Sequence, residues 1–146
     1  MVVDIGGGTT DVAVLSMNAV AVSSSTKVAG DTFDDTIARY IRRKHAAVIG
    51  LNTAEEIKIS IGCVYPRPEN ASMLVKGRDL RTGLPKEFAL QAEEMLEALK
   101  RPARQIVDEV FAVLEKRNRP DRRRQPNLGD GSAHSGANGT AVYFSR

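Results

Sequence analysis

Apolar and polar residues alternate along the first quarter of the chain and then switch to a helical period. Met1-Val2-Val3-Asp4-Ile5 reads as an apolar strand carrying one acid, and it runs directly into Gly6-Gly7-Gly8-Thr9-Thr10. Beyond the glycines, Val12, Val14 and Ser16 alternate with Ala13 and Leu15, and Val20-Ala21-Val22-Ser23 repeats the pattern. Two antiparallel strands are predicted there, with Asn18 in the turn between them. From Asp31 to Ile49 the spacing becomes helical, placing Phe33, Ile37, Tyr40, Ile41 and Val48 on one face. Acids at Asp34 and Asp35 and the basic run Arg42, Arg43, Lys44 and His45 complement the dipole of that helix, so the cations read as a solvated helix end before Gly50.

A second short helix is predicted to begin at Asn52-Thr53, with Thr53 and Glu56 spaced as a capping box. Ser72 to Lys76 and Glu87 to Leu90 read as paired strands joined by the polar loop Arg78-Asp79-Leu80-Arg81-Thr82-Gly83. Met95, Leu96, Leu99, Ile106, Val110, Val113 and Leu114 then recur at spacings of three, four and seven, a core-facing helical stripe that Pro102 is expected to kink or divide. After Asn118 the periodicity ends, and the Arg/Gly/Ser-rich stretch 119–146 is expected to be a disordered tail.

Composition changes this picture in one respect. The net charge of +3 belongs entirely to the tail: residues 1–118 carry 16 basic and 16 acidic side chains, whereas the last 28 residues carry five arginines against two aspartates. Arg119, Arg122, Arg123 and Arg124 have no interleaved aromatics, so no nucleic acid is expected as a partner. A length of 146 residues fits one domain. Every apolar run is short and no basic segment precedes one at the start, so neither a membrane span nor a secretory signal is expected. Cys63, the single cysteine, reads as a packed thiol.

The chemistry is concentrated at the amino end. Three successive glycines remove every Cβ from a turn, letting backbone N–H groups close on an anion, and Thr9 and Thr10 offer hydroxyl donors. Asp4 ends a strand at the mouth of that turn, where a carboxylate suits a hydrated divalent cation or a water that attacks a terminal phosphate. No Gly-Lys-Ser/Thr follows, and Asp11 stands where a dinucleotide fingerprint needs its third glycine. The alternative is a tight hairpin with Asp4 as a solvated turn residue.

Asp4 to Ser16, followed by Gly30-Asp31-Thr32-Phe33-Asp34, resembles the second phosphate segment of the actin/Hsp70/sugar-kinase superfamily. Thr53-Ala54-Glu55-Glu56-Ile57-Lys58, Ile61-Gly62 with Tyr65-Pro66, and Val75-Lys76-Gly77-Arg78-Asp79-Leu80 with Gly83 and Pro85 narrow the resemblance to the bacterial actin-like MreB family, over residues 1 to about 118. The resemblance implies an α/β chain forming part of an actin-like ATPase fold. Residues 1–50 and 91–118 would belong to an incomplete large subdomain, and 51–90 to a small inserted one. It implies ATP and Mg2+ as cofactors. Asp4 would be catalytic and hold the metal through water, Gly6, Gly7, Gly8 and Thr9 would take the phosphates, and Ala54, Glu55, Glu56, Ile57 and Lys58 would close over the nucleoside. It further implies self-association into filaments that guide cell-wall synthesis and cell shape. Their partners would be membrane-associated cell-shape and wall-synthesis proteins, at a cytoplasmic location on the inner face of the membrane.

The sequence also departs from that family. It offers one phosphate hairpin where the family has two, and the Arg/Gly/Ser stretch stands where a further strand and glycine loop belong. Asp11 replaces the glutamate usual after the paired threonines. The expectation is therefore a truncated fragment, its tail arising from a shifted frame or an unrelated join, with little or no ATP hydrolysis of its own. The competing readings are an Hsp70-like or sugar-kinase-type ATPase, disfavoured by the short stretch from Ala54 to Leu90, and a binding module without catalysis acting through the arginine tail.

Overall fold

The computed structural model describes residues 1–17, 19–66 and 71–118, together with the backbone of 141–144. Strands β1 (Val2–Ile5), β2 (Thr10–Ser16) and β3 (Ala19–Thr26) follow the predicted alternation. β1 pairs antiparallel with β2 (Val3 opposite Val12, Asp4 opposite Asp11), and β2 pairs antiparallel with β3 across a bulge at Val14/Leu15. Period-2 geometry sends Val3, Val12 and Val14 inward and leaves Asp4 and Asp11 exposed on the other face. Met17 takes a left-handed φ of 49° where the chain turns into β3, and Asn18, expected in that turn, lies outside the described residues.

The helix α1 (Gly30–Lys44) buries Ile37, Tyr40 and Ile41 as predicted but stops five residues short of the expected Ile49. His45 caps it, Ala46 adopts a φ of 49°, and the chain leaves as the short strand β4 (Ala47–Val48). The helix α2 (Leu51–Ile61) begins earlier than expected. Extended Gly50 is its N-cap, so Thr53 falls inside the first turn and its side chain does not cap the helix with Glu56. β5 (Ser72–Asp79) and β6 (Pro85–Gln91) form the expected strand pair, antiparallel with Lys76 opposite Glu87, and β4 adds to the free side of β5. α3 (Ala92–Asn118) is one helix of 27 residues that runs through Pro102 without dividing. Pro102 is itself buried, so its ring contributes to packing while its missing N–H removes one backbone bond.

A fourth strand completes the first sheet. β7 (Ala141–Phe144) lies parallel to β1, with Val2 opposite Ala141 and Ile5 opposite Phe144, giving the strand order β3-β2-β1-β7. This corrects the expectation of a structureless stretch at these four residues: Ala-Val-Tyr-Phe is a β-prone apolar run, and the outer side of β1 is an open ladder for it to join. Arg119, Arg122, Arg123, Arg124 and the rest of 119–140 lie outside the described residues.

Two apolar clusters fill the interior. Val3, Val12, Val14 and Val113 form one beneath the β1–β3 sheet. Ile37, Tyr40, Ile41, Ala47, Ala54, Ile57, Ile61, Val75, Leu90, Met95, Ala98 and Leu99 form the other, between α1, α2, the second sheet and the start of α3. The second cluster draws on residues from both sides of residue 50, with α1 packed against α2.

Candidate functional site

The glycine turn closes on itself and is then clamped by α1. Gly6 N–H donates to Thr9 O at 2.9 Å, while Gly30 and Asp31, the first two residues of α1, donate to Gly6 O at 3.0 Å and Gly7 O at 2.8 Å. Two turn carbonyls are therefore consumed by a helix start. The amides of Gly7 and Gly8, exposed at the tip, donate to no acceptor among the described residues. Neither adopts a left-handed φ, a conformation that Gly83 alone of the described glycines takes (φ 71°). What glycine provides here is clearance. A Cβ on Gly7 would sit 3.5 Å from Asp31 Oδ1, an ordinary contact, so the protein itself has room for it and the bare backbone is left open to a ligand. Gly30 is tighter, since a Cβ there would meet Gly6 O at 3.3 Å and Gly7 Cα at 3.4 Å.

The two threonines part company. Thr10 is fully buried and its hydroxyl donates to Val28 O at 2.7 Å, tying the hairpin to the segment before α1 rather than serving a ligand. Thr9 is exposed, with its hydroxyl 3.4 Å from Asp11 Oδ2. Asp4 and Asp11 stand directly opposite on the exposed face of the hairpin. Two carboxylates in cross-strand register repel one another, an arrangement that a shared cation relieves.

Of the five residues expected to close over a nucleoside, α2 divides the set. Ala54 and Ile57 are fully buried in the larger cluster, so their side chains pack and do not reach a ligand. The division follows from helical geometry, which cannot put five consecutive side chains on one face. Glu55 and Glu56 are exposed, and Lys58 extends toward α1, its Nζ 2.8 Å from Asp34 Oδ2. Asp34 is 8% exposed, and its Oδ1 is buried without a hydrogen-bond partner.

Asp31 and Asp34 are the residues that sequence reasoning left out of the site. The sequence reads Asp34 as a first-turn acid complementing the helix dipole, and Asp31 only as part of the family-like Gly30-Asp31-Thr32-Phe33-Asp34 run. The structure gives them contacts instead: Asp31 lies beside Gly7 and Gly8, and Asp34 holds Lys58. Their spacing of three, which puts both on one helix face, was the available signal.

This arrangement has known counterparts. The family model for MreB/Mbl protein matches residues 1–121. The chain belongs to the MreB/Mbl family. It is 51% identical over 116 residues to the cell shape-determining protein Mbl of Bacillus cereus and 50% identical over 116 residues to the cell shape-determining protein MreB of Escherichia coli K12. Each match covers 80% of this chain, and 35% and 33% of those relatives, so the chain spans about a third of their length. The crystal structure of MreB5 of Spiroplasma citri bound to AMPPNP superposes with a TM-score of 0.77 at 43% identity, covering 82% of this chain and 35% of that one. The MamK double helical filament shares the fold at 24% identity and a TM-score of 0.63. The fold is thus the actin-like α/β fold the resemblance implied, and MreB/Mbl membership takes precedence over the Hsp70-like and sugar-kinase readings.

Proposed function

We propose that this chain carries one nucleotide-binding half of an ATP-dependent, actin-like cell-shape protein that self-associates into filaments. The observation that carries the reading is the glycine turn. Its carbonyls are pinned by α1 while the Gly7 and Gly8 amides stay open at its tip, the arrangement that suits a terminal phosphate. The nucleotide-bound MreB5 structures, with AMPPNP and with ADP, support a nucleotide as the ligand.

In this reading Gly6, Gly7, Gly8 and Thr9 receive the phosphates, and Glu55, Glu56 and Lys58 face the nucleoside. Asp4 is the group that fixes the attacking water. Among the described residues no three His, Cys, Asp or Glu side chains converge on a point that could hold a metal ion, so a cage made wholly of protein is not the expected form of binding. Magnesium in nucleotide sites takes one or two carboxylates, with phosphates and waters completing its shell, and the opposed Asp4 and Asp11 fit that donor set. The ion would supply charge neutralisation at the phosphates.

Hydrolysis by this chain alone is expected to be slight, because phosphoryl transfer needs groups on both sides of the nucleotide. Filament assembly, a place at the inner face of the membrane, and partnership with membrane-associated cell-shape and wall-synthesis proteins follow from the family. Among the described residues no helix is long and apolar enough to cross a membrane.

Calorimetry with Mg·ATP on the 146-residue chain tests the reading, with Gly7→Val and Asp4→Ala in parallel. Saturable binding lost in Gly7→Val and weakened in Asp4→Ala is expected. A folded chain that binds no nucleotide sinks it.

A further inference from the structure

The Asp34–Lys58 pair does something unusual for a link between two helices. Asp34 lies in α1 with only 8% of its surface exposed, accepts a hydrogen bond from the Lys58 ammonium on one oxygen at 2.8 Å, and leaves the other oxygen buried without a partner. A half-satisfied buried carboxylate is an expensive means of holding helices together. The helices do not need it, because Ile37 and Ile41 of α1 and Ala54 and Ile57 of α2 already belong to one fully buried apolar cluster. Apolar residues in place of such a pair commonly leave stability unchanged or improved. The pair therefore calls for an explanation other than adhesion.

Its place supplies one. Asp31 donates its backbone N–H to Gly7 O, and its carboxylate flanks Gly7 and Gly8. Asp34 sits three residues further along the same helix face, about one turn or ~5 Å away. Lys58 comes from α2, its side chain is 26% exposed, and its ammonium has Asp34 as its one side-chain partner among the described residues. Of the three donors on its ammonium, one is committed and two are available to a further acceptor.

We propose that Asp34 is a positioning residue. It holds the Lys58 ammonium in one orientation between α1 and α2, about a helical turn from the phosphate-binding turn, so that a bound nucleotide meets a fixed cation rather than a mobile lysine. Fixing the side chain beforehand removes the entropy of ordering it at the moment of binding. The coupling also links the two parts of the site, since α1 carries both the clamp on the glycine turn and the anchor for α2. This inference rests on the nucleotide-binding reading, and it assigns to Asp34 a role that acts through Lys58 without touching the ligand.

The test is a double-mutant cycle read by Mg·ATP calorimetry on the 146-residue chain, with Asp34→Asn, Lys58→Met and the double variant. Asp34→Asn is expected to weaken binding roughly tenfold. On the Lys58→Met background it should add nothing, because the residue it positions is gone. Equal effects on both backgrounds, unchanged affinity with a lowered melting temperature, or tighter binding in Asp34→Asn would each overturn the proposal; tighter binding would make Asp34 a competitor of the ligand. If the unsubstituted chain binds no Mg·ATP, the nucleotide reading fails and this inference falls with it, an outcome visible before any variant is made. Should Asp34→Asn not fold, side-chain NMR of the unsubstituted chain decides. The Lys58 ε-methylene is expected to be rigid without nucleotide and to shift when Mg·ADP is added. A freely rotating Lys58 overturns the idea.

Discussion

The two apolar clusters differ in size, in make-up and in what they support. Beneath the β1–β3 sheet, four valines carry the burial, with Met1, Ile5, Val22 and Val110 packed against them. The cluster between α1, α2 and the second sheet holds twelve buried residues, including Ile37, Ile41, Ile57, Leu90 and Met95 with essentially no exposure. The glycine turn belongs to the lean side, yet its carbonyls are fixed by α1, which is anchored in the rich side. The glycine turn thus borrows rigidity from a core it does not sit on. The helix α3 spans both, with Met95 and Leu99 in one cluster and Val113 in the other.

The strongest way to break this contrast is to cut one core at a time. Ile41→Ala removes a fully buried side chain from the larger cluster and is expected to cost about 3–4 kcal/mol. Val12→Ala, equally buried in the smaller one, removes two methyl groups and is expected to cost about 2 kcal/mol. Urea unfolding followed by far-UV circular dichroism, together with the environment of Tyr40, measures both. If α3 makes the clusters one cooperative unit, either substitution shifts a single transition seen identically by both probes. Two separated transitions would show that the turn and its clamp melt independently.

The same contrast explains what the sequence revealed. Alternation was enough for β1, β2 and β3, and for the pairing of β5 with β6, because side chains along these strands alternate between a less and a more exposed face. Local chemistry was not enough at the joints. The end of α1 is set by Ala46 at a left-handed φ, which no residue preference announces, and β4 is too short at two residues to show any period. The start of α2 moved to Gly50 because an extended glycine served as N-cap ahead of the more conspicuous Thr53. In the candidate site, the glycine run and Asp4 stand out in the sequence because their chemistry is local. The division of 54–58 into packed and outward residues, and the burial of Asp34, depend on how α2 docks on α1. Nothing in a linear pattern carries that docking.

A smaller effect sharpens the role of the rich side. At the junction of α1, β6 and α3, Glu94 Oε2 lies 2.8 Å from His45 Nε2 and 3.3 Å from Lys44 Nζ, and Glu94 Oε1 accepts from Gln91 N–H. Burial works to raise the Glu94 pKa, but the bonds from His45, Gln91 and Lys44 outweigh it and hold the carboxyl below its ordinary 4.5. A depressed folded pKa contributes stability above the unfolded value, and that contribution is lost as pH falls through the folded one. Glu94→Gln is therefore expected to cost roughly 1–2 kcal/mol at pH 7. The difference from the unsubstituted chain should shrink as pH falls below about 4.5 and vanish once Glu94 is protonated. Urea midpoints at pH 7 and at successively lower pH test the sign. A gap that widens on acidification would contradict the assignment.

The smallest expected effect lies on the outer face of the second sheet. Lys76 Nζ is 3.2 Å from Glu87 Oε1, its cross-strand partner between β5 and β6, but these side chains are 80% and 54% exposed. In water such a pair gains little, because high dielectric weakens the attraction and two long side chains lose freedom to make it. Glu87→Gln is expected to change stability by less than ~0.5 kcal/mol, and by less still in 0.5 M salt, where the Debye length is short. A loss approaching that of Glu94→Gln would mean that Lys76 and Glu87 are shielded from solvent in the working protein. The exposed face of this sheet would then be a covered surface, and the rigidity on which the glycine turn draws would depend on whatever covers it.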